Sequence, residues 1–206
     1  MTNPIVISAA VEGILDEAVL RRLMEDLGVV PGPVYGKNGK PFLLEKLNAY
    51  NRAAQYSPWI IIVDLDHDAD CAPPFLRSCL PDPAPNMNFR IAVREIEAWL
   101  LADRERLAKF LSVGISRIPH DPEALNSPKS TMIDLARRSR RRDIRENMVP
   151  RPGSGRKIGP AYTSLLIEFA RDTEHGWRPR TAAKSSDSLN RCIRRLEGLI
   201  KAADQS

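Results

Sequence analysis

Three aspartates follow the most apolar stretch of the chain at every second position. Residues 59–63 are large, mostly β-branched apolar residues, and Asp64, Asp66 and Asp68 come directly after them. A run of this kind, without helical period, is typical of a strand buried on both faces of a parallel sheet. If the extended backbone continues, the three carboxylates point the same way and repel one another. The pattern predicts a site for a hard divalent cation, Mg²⁺ or Mn²⁺, with a solvated acidic loop as the alternative.

The chain around this motif alternates between apolar stretches and helical spacing. Apolar residues recur at helical intervals over 18–27, where Gly28 ends the pattern, and again over 42–54. The extended stretches predict strands at 4–9, 33–35, 59–63 and 88–93. This alternation predicts an α/β fold with a Rossmann-like central parallel sheet flanked by helices.

A further acid, Glu12, follows the first predicted strand in a Glu12–Gly13 turn, where glycine lets the backbone bend tightly. Right-handed crossovers make the first and third strands parallel, so both end at the same edge of the sheet. Open α/β sheets bind their ligands at this edge. We therefore expect Glu12 to lie close to Asp64 and Asp66.

The fourth predicted strand runs directly into a predicted helix over 94–103 that carries two acids. Glu95 and Glu97 are two positions apart, so they do not share a helical face. Ile96 and Trp99 belong to the apolar stripe of this helix. We expect Glu97 to face the acidic edge of the sheet and Glu95 to face solvent.

The 206 residues are enough for one sizeable core. We assign residues 1–103 to the α/β core and residues 104–206 to a mostly helical extension that packs on it. The extension is not expected to be an independent domain. Its apolar helix surface could also pair two copies of the chain in a homodimer.

A formal net charge of +5 is compatible with an acidic partner such as nucleic acid. Six arginines fall within the nine positions 137–145, and a Gly-rich basic loop follows over 150–160. We expect these segments to contact backbone phosphates, although a solvated helix face is the alternative for the arginine run. The candidate residues are Arg137, Arg138, Arg140, Arg141, Arg142, Arg156 and Lys157.

The three cysteines, Cys71, Cys79 and Cys192, form no CxxC pair. This argues against a disulfide framework and favours a reducing cytoplasm. His67 could join Cys71 and Cys79 as zinc ligands, but a fourth ligand is not evident. The sequence shows no signal-peptide pattern and no apolar stretch that approaches a membrane span. We therefore expect a cytoplasmic protein that does not enter a membrane.

The two acidic motifs together resemble the signature of TOPRIM domains, the metal-binding catalytic modules of topoisomerases, bacterial primases and OLD-family nucleases. The first is Val-Glu-Gly-Ile-Leu-Asp-Glu at 11–17, and the second is Asp-Leu-Asp-His-Asp at 64–68. Nearly the whole chain also looks similar to a bacterial TOPRIM-like family of unknown function. The further segments that carry this likeness are 94–103, 127–129, 159–162 and 188–192.

The resemblance implies a TOPRIM-like fold and Mg²⁺-dependent hydrolysis of phosphodiester bonds in DNA or RNA. Glu12 matches a metal ligand or general acid/base of TOPRIM nucleases, and Asp64 and Asp66 match the aspartates that bind Mg²⁺. Glu97 and Lys129 correspond by rough position to further acids and a catalytic lysine of OLD-type nucleases. Similar TOPRIM proteins act beside an ABC-type ATPase in phage defence, which would make this chain a defence or toxin effector.

A second ion, using Glu97 or Glu17, would complete a two-metal clamp.

Two other functions share parts of the pattern. A catalytically silent TOPRIM module, like those of RecR-type proteins, would bind nucleic acid or a partner protein without turnover. A haloacid-dehalogenase-type phosphatase also has Asp-x-Asp after a strand, but its motif lies near the N-terminus. Such enzymes usually have Thr or Val where this chain has Asp68.

Overall fold

Four parallel strands form the centre of the structure, a computed structural model that describes residues 5–203. The order of the strands across the sheet is β2-β1-β3-β4. The predicted α/β fold with a central parallel sheet is therefore confirmed, except that Pro4 of the first predicted strand lies outside the described residues. The strands are β1 (Val6–Val11), β2 (Val30–Gly36), β3 (Trp59–Asp64) and β4 (Met87–Ala92).

Helices connect the strands and make up most of the second half of the chain. In the first half they are α1 (Ile14–Asp26), α2 (Lys40–Ala53) and α3 (Ala72–Cys79). After β4 come α4 (Glu97–Leu101), α5 (Arg104–Leu111), α6 (Pro128–Arg137), α7 (Arg142–Met148), α8 (Tyr162–Arg171), α9 (Pro179–Ala182) and α10 (Asp187–Ala203). Within residues 5–203, none of these helices is both long and apolar enough to cross a membrane.

The sheet is buried on both faces, as the apolar run in β3 predicts. Every residue of β3 is buried, and its side chains alternate between two apolar clusters. Ile61 and Val63 pack against α2, which contributes Leu43 and Leu47 to the same cluster. Ile60 and its neighbours on the other face pack against α1 and the helices of the second half.

The second half of the chain shares its core with the sheet. One continuous apolar cluster joins residues of β1, β3 and α1 to residues of α4 to α10. Two buried tryptophans tie these helices together, because the Trp177 indole donates to the carbonyl of Trp99 and the Trp99 indole donates to Ser188 Oγ. The buried carboxylate of Asp103 accepts three hydrogen bonds from Arg178, over 2.7–3.0 Å. These contacts fix α9 and α10 to the core.

Two predicted elements differ from the structure near the carboxyl edge of the sheet. β3 ends at Asp64, and Asp66 has a left-handed backbone (φ 49°), so the strand alternation does not continue through Asp66 and Asp68. The helix predicted over 94–103 begins only at Glu97, because Arg94 is also left-handed (φ 63°). Both turns keep the acids of these segments at the end of the sheet.

The turn after β2 is held tightly against the turn after β1. The amides of Lys37 and Gly39 donate to the carbonyls of Val11 and Glu12, at 2.8 and 3.0 Å. Gly36 has φ 85°, and a Cβ there would lie 2.3 Å from the Val11 carbonyl oxygen, so this close approach requires glycine. The beginning of α2 is thereby brought to the carboxyl edge of the sheet.

The Asp103–Arg178 pair should contribute strongly to stability. We expect Asp103→Ala to lower the free energy of unfolding by about 3 kcal/mol, because it leaves the half-buried Arg178 and two backbone amides without their acceptor. Urea denaturation measures this change. Glu146→Ala, which removes an exposed pair with Arg142, serves as the control and should leave stability nearly unchanged. Equal effects of the two variants would contradict this account of the packing.

Candidate functional site

Four carboxylates from four elements converge at the carboxyl edge of the sheet. Glu12 follows β1, Asp16 lies in the first turn of α1, Asp64 ends β3 and Glu97 begins α4. We call these four residues the acidic cluster. Each of the other three carboxylates raises the pKa of Asp64 through its charge, which requires that they lie close together.

A direct hydrogen bond joins the first and third strands at this edge. The backbone amide of Asp64 donates to Glu12 Oε1 at 2.8 Å. In the sheet, Val11 lies opposite Ile62, so Glu12 is one position beyond the last paired residue of β1. The expected proximity of Glu12 to Asp64 therefore follows from the parallel register, and the bond fixes the orientation of the Glu12 carboxylate.

Three oxygens of the cluster are buried and accept no hydrogen bond. They are Asp16 Oδ1, Asp64 Oδ1 and Glu97 Oε2. The residues that carry them are 7%, 9% and 1% exposed, respectively. A buried carboxylate oxygen without a donor or a cation costs free energy, because it has lost its hydration and gained nothing in return.

The pKa values of all four acids are raised, in agreement with this unfavourable free energy of burial. Burial raises the pKa of Asp16 to about 7, and the charges of Glu12 and Glu97 add to the rise. Burial and the charges of Asp16 and Glu12 hold the pKa of Asp64 well above its ordinary value. The pKa of Glu12 and that of Glu97 are also raised, chiefly by burial. The folded chain therefore retains protons on the cluster to higher pH than these carboxyls would retain them in water, unless a cation neutralises it.

Lys129, at the beginning of α6, lies beside the cluster. Its backbone amide donates to Glu95 Oε2 at 2.7 Å, and its Nζ lies 3.7 Å from Glu95 and 3.6 Å from Glu97. Burial alone would lower the pKa of Lys129, but the charges of Glu97 and Glu95 raise it above its ordinary value. Glu97 is the buried member of the two glutamates, but the expectation that Glu95 faces solvent is wrong, since both face Lys129.

Tyr162, the first residue of α8, completes the surroundings of Glu97. Its hydroxyl donates to Glu97 Oε1 at 3.1 Å, and both side chains are buried. Burial and the charge of Glu97 raise the pKa of Tyr162, so the phenol remains a hydrogen-bond donor. One oxygen of Glu97 thus has two polar neighbours, Tyr162 and Lys129, while the other has none.

Asp66 and Asp68 share a lysine partner, Lys40. The Nζ of Lys40 lies 2.5 Å from Asp66 and 2.8 Å from Asp68, whose side chains are 44% and 47% exposed. Lys40 is the first residue of α2 and follows the turn that packs against the Glu12 turn. Burial would lower the pKa of Lys40, but its two aspartate partners raise it overall. A protein cation therefore already occupies the outer part of the acidic edge.

The donor set of the acidic cluster suits a hard divalent cation. Its carboxylates are the oxygen ligands that Mg²⁺ and Mn²⁺ prefer, and three of their oxygens lack any other partner. In the side-chain arrangement of residues 5–203, however, no three His, Cys, Asp or Glu side chains are already grouped as a ligand set. A bound cation would therefore require side-chain rotation at the edge. His67, Cys71 and Cys79, the alternative zinc ligands, are likewise not grouped as a ligand set in these residues.

Glu17, the alternative ligand for a second ion, does not join the cluster. Its carboxylate pairs with Lys37 at 3.0 Å and with Arg21 at 2.9 Å. Burial would raise the pKa of Glu17, but these two cations lower it overall. Asp16, one position earlier on α1, is the acid that this turn contributes to the site.

The predicted phosphate-binding arginines lie at the far end of α6. Lys129 is the second residue of this helix and Arg137 is its last, roughly 12 Å apart at 1.5 Å per residue. The five candidate arginines of the run are exposed, and those at 137, 141 and 142 pair with acids of their own segment. In the described part of the chain, no ion pair is formed by Arg138 or Arg140. Arg156 and Lys157 are exposed in the loop before Tyr162.

Sequence reasoning missed four residues of this site: Asp16, Lys40, Glu95 and Tyr162. Asp16 follows Glu12 by one helical turn, and this spacing could have indicated it. Lys40 follows a strand that ends at the same edge of the sheet, so its position after β2 could also have predicted that it lies near the acids. The positions of Glu95 and Tyr162 depend on the turn at Arg94 and on helix packing, for which the local sequence gave no signal.

Comparisons of this chain with protein-family models, with curated proteins and with solved structures found no match. The interpretation of the site therefore depends on its geometry and chemistry.

The raised pKa of Asp16 makes stability depend on pH. Between the ordinary value of 3.8 and about 7, the unfolded chain loses this proton before the folded chain does, so stability falls as pH rises through this window. Asp16→Asn removes the effect. In the presence of chelator, we expect the variant to be more stable than the parent above pH 7, by on the order of 4 kcal/mol, and to lose this advantage near pH 4.

Denaturant titrations across this pH range test the expectation. Glu17→Gln is the matched control, because the lowered pKa of Glu17 contributes stability above its ordinary value of 4.5. This control should be less stable than the parent at neutral pH, opposite in sign to Asp16→Asn. A stability difference for Asp16→Asn that does not vary with pH would show that Asp16 is not held in an unfavourable ionised state.

Proposed function

We propose that this chain is a TOPRIM-like, divalent-cation-dependent nuclease that hydrolyses phosphodiester bonds of DNA or RNA. The observation that carries the proposal is the convergence of Glu12, Asp16, Asp64 and Glu97 at the carboxyl edge of a parallel sheet, with three buried oxygens unpartnered. A cluster of buried carboxylates that is unfavourable for the stability of the fold is typical of a functional site. The TOPRIM resemblance supports the proposal, because its two motifs follow the neighbouring strands β1 and β3.

In this proposal, Glu12, Asp64 and Glu97 hold the cation, with Asp16 beside them and Asp66 at the solvent side. Mg²⁺ or Mn²⁺, when bound, would polarise a phosphoryl oxygen and lower the pKa of a water molecule. The hydrogen bond from the Asp64 amide orients the Glu12 carboxylate toward the cluster. Burial raises the pKa of Glu12, which makes its carboxylate a stronger proton acceptor than an ordinary glutamate.

The lysines would neutralise the charge that develops on a phosphate. Lys129 lies beside Glu95 and Glu97, its pKa is raised, and its side chain is 42% exposed. It can therefore reach both the buried acids and a substrate from solvent. The exposed arginines at 137–142 and the loop residues Arg156 and Lys157 would contact the flanking backbone phosphates.

A second function is favoured by the position of Lys40. Its ammonium group already neutralises Asp66 and Asp68, and in residues 5–203 no three acids form a ready ligand set. These observations fit a catalytically silent TOPRIM module, in which the basic surface binds nucleic acid or a partner protein without turnover. Metal-independent binding without cleavage would distinguish this module from a nuclease.

The nuclease proposal predicts metal-dependent cutting that requires Glu12. We expect the chain to cleave at least one of plasmid DNA, single-stranded DNA and total RNA with Mg²⁺ or Mn²⁺, and none with chelator. Glu12→Gln should reduce the rate by about two orders of magnitude or more, because it removes a charged ligand or proton acceptor at the site. Gel analysis of time courses with each substrate and cation measures this.

Glu17→Gln is the matched control for that assay. Glu17 lies on the same turn of α1 but pairs with Lys37 and Arg21 rather than with the cluster. This variant should cut as fast as the parent. Cutting by Glu12→Gln at the parental rate, or loss of activity in both variants alike, would contradict the assignment of the site.

The basic surface predicts a salt-dependent affinity for nucleic acid. Removing Arg138 and Arg140 together should weaken binding to duplex DNA of any sequence. It should also reduce the slope of log affinity against log salt by about 2, since each phosphate contact contributes about 0.9. Fluorescence anisotropy in chelator measures both quantities. Arg194→Ala, an exposed arginine of α10, is the control and should leave the slope unchanged. An unchanged slope in the double variant would exclude this surface.

A further inference from the structure

A cleft lined by four arginines opens beside the acidic cluster. It has a volume of about 500 Å³ and lies between the beginnings of α3 and α10, at the ends of β3 and β4. We call it the arginine cleft, after Arg77, Arg90, Arg94 and Arg191, which line it. Leu65, next to Asp64, lines it as well, so the cleft adjoins the acidic edge of the sheet.

Arg90 is a partly buried arginine of the cleft whose Nε has no hydrogen-bond acceptor. It lies within β4 and is only partly exposed, and its Nε is buried without a hydrogen-bond acceptor. Burial lowers the pKa of Arg90, and the neighbouring cations Arg195 and Arg191 lower it further, while Cys192 and Asp187 raise it in part. A guanidinium that is desolvated and close to like charges is destabilised unless an anion pairs with it.

The acids of the cleft are engaged elsewhere or exposed. Glu123 Oε1 accepts hydrogen bonds from the hydroxyls of Ser186 and Ser188 and from the amide of Ser188. Asp187 pairs with Arg191 at 2.7 Å, and Asp70 is exposed to solvent. None of them accepts a hydrogen bond from Arg90 Nε, which is buried, so a ligand in the cleft would contact Arg90 at its terminal nitrogens.

The remaining cations face the same space. Arg94 donates from Nη1 to the carbonyl of Asp66 at 2.8 Å, which fixes its position between the cleft and the acidic edge. Arg77 is exposed and forms no ion pair within residues 5–203. Guanidinium groups bind phosphate through paired hydrogen bonds, and several converging on one cleft favour phosphate over a singly charged carboxylate.

The cleft also has an apolar surface, contributed by Leu65, Pro73, Leu76, Ile91 and Val93. An inorganic anion would leave this surface unused. A volume near 500 Å³ is in the range of small-molecule sites and is large enough for a sugar and a base beside the phosphate. Planar guanidinium groups can also stack on a base.

We propose that the arginine cleft binds a nucleotide unit, with the phosphate at Arg90 and Arg94 and the base against the apolar wall. The source of the unit is either a free mononucleotide or the phosphorylated end of a nucleic acid strand. This site is separate from the acidic cluster, and its occupancy does not require that the cluster hydrolyse anything.

Calorimetric titration of the full chain in chelator tests the proposal without cleavage. The probes are the four ribonucleoside monophosphates, inorganic phosphate, and one short oligonucleotide with either a 5′-phosphate or a 5′-hydroxyl. We expect saturable binding of a mononucleotide, or of the 5′-phosphorylated oligonucleotide over its hydroxyl form, and weaker binding of inorganic phosphate. The first outcome identifies a free nucleotide as the source, and the second identifies a strand end.

Arg90→Met keeps the length and apolar stem of the side chain and removes its charge. It should weaken the binding of the preferred probe at least tenfold, while the thermal midpoint shows that the variant is folded. Arg77→Met, at an exposed position, should weaken binding to a smaller extent and does not risk the core. Arg194→Met, outside the cleft, should bind as the parent does.

Equal affinity for inorganic phosphate and nucleotide, no saturable binding of any probe, or parental binding by Arg90→Met and Arg77→Met would each overturn the proposal. Repeating the titration with Asp64→Asn separates the two sites. Parental binding by that variant shows that the cleft works independently of the acidic cluster. Loss of binding in that variant would show that the ligand belongs to the cluster and would overturn the separate cleft.

Discussion

The mutual repulsion of buried carboxylates at one edge of a parallel sheet is the constraint on which this structure depends. Parallel strands end together, so acids that follow β1, β3 and β4 are forced into one small volume. Burial and their mutual charges raise the pKa of Asp64 and Asp16, and three of their oxygens have no hydrogen-bond partner. Such an arrangement lowers the stability of the chain by itself, so the large core shared by the sheet and helices α4 to α10 must offset it.

Two lysines offset part of the negative charge, each from a different side. Lys40 neutralises Asp66 and Asp68 from the beginning of α2, and Lys129 lies against Glu97 from α6. Neither lysine supplies a donor to Asp64 Oδ1, which remains unpartnered in the middle of the edge. The charges are thus balanced around the rim and unbalanced in the centre, where a small divalent cation would fit the chemistry of the oxygens.

The fold could be predicted from the sequence because its signals are local and strong. The apolar run of β3 and the helical spacing of α1 and α2 predict the parallel strands and their crossovers. They also predict the edge of the sheet at which Glu12 lies close to Asp64. The turns could not be predicted in the same way. Left-handed backbone at Asp66 and Arg94 redirects the acids that follow, so Asp66 and Asp68 turn outward to Lys40 and Glu95 turns inward to Lys129. Tyr162 reaches Glu97 only through the packing of α8.

The central claim is that the acidic cluster holds a divalent cation, and direct measurement of Mn²⁺ binding tests it most closely. Electron paramagnetic resonance distinguishes free from bound Mn²⁺ in a titration of the full chain above neutral pH, without any substrate. The account predicts saturable binding that is lost in Asp64→Asn and retained in Glu17→Gln, whose native carboxylate pairs with cations outside the cluster. Absence of saturable binding by the parent, or equal binding by Asp64→Asn, would contradict it.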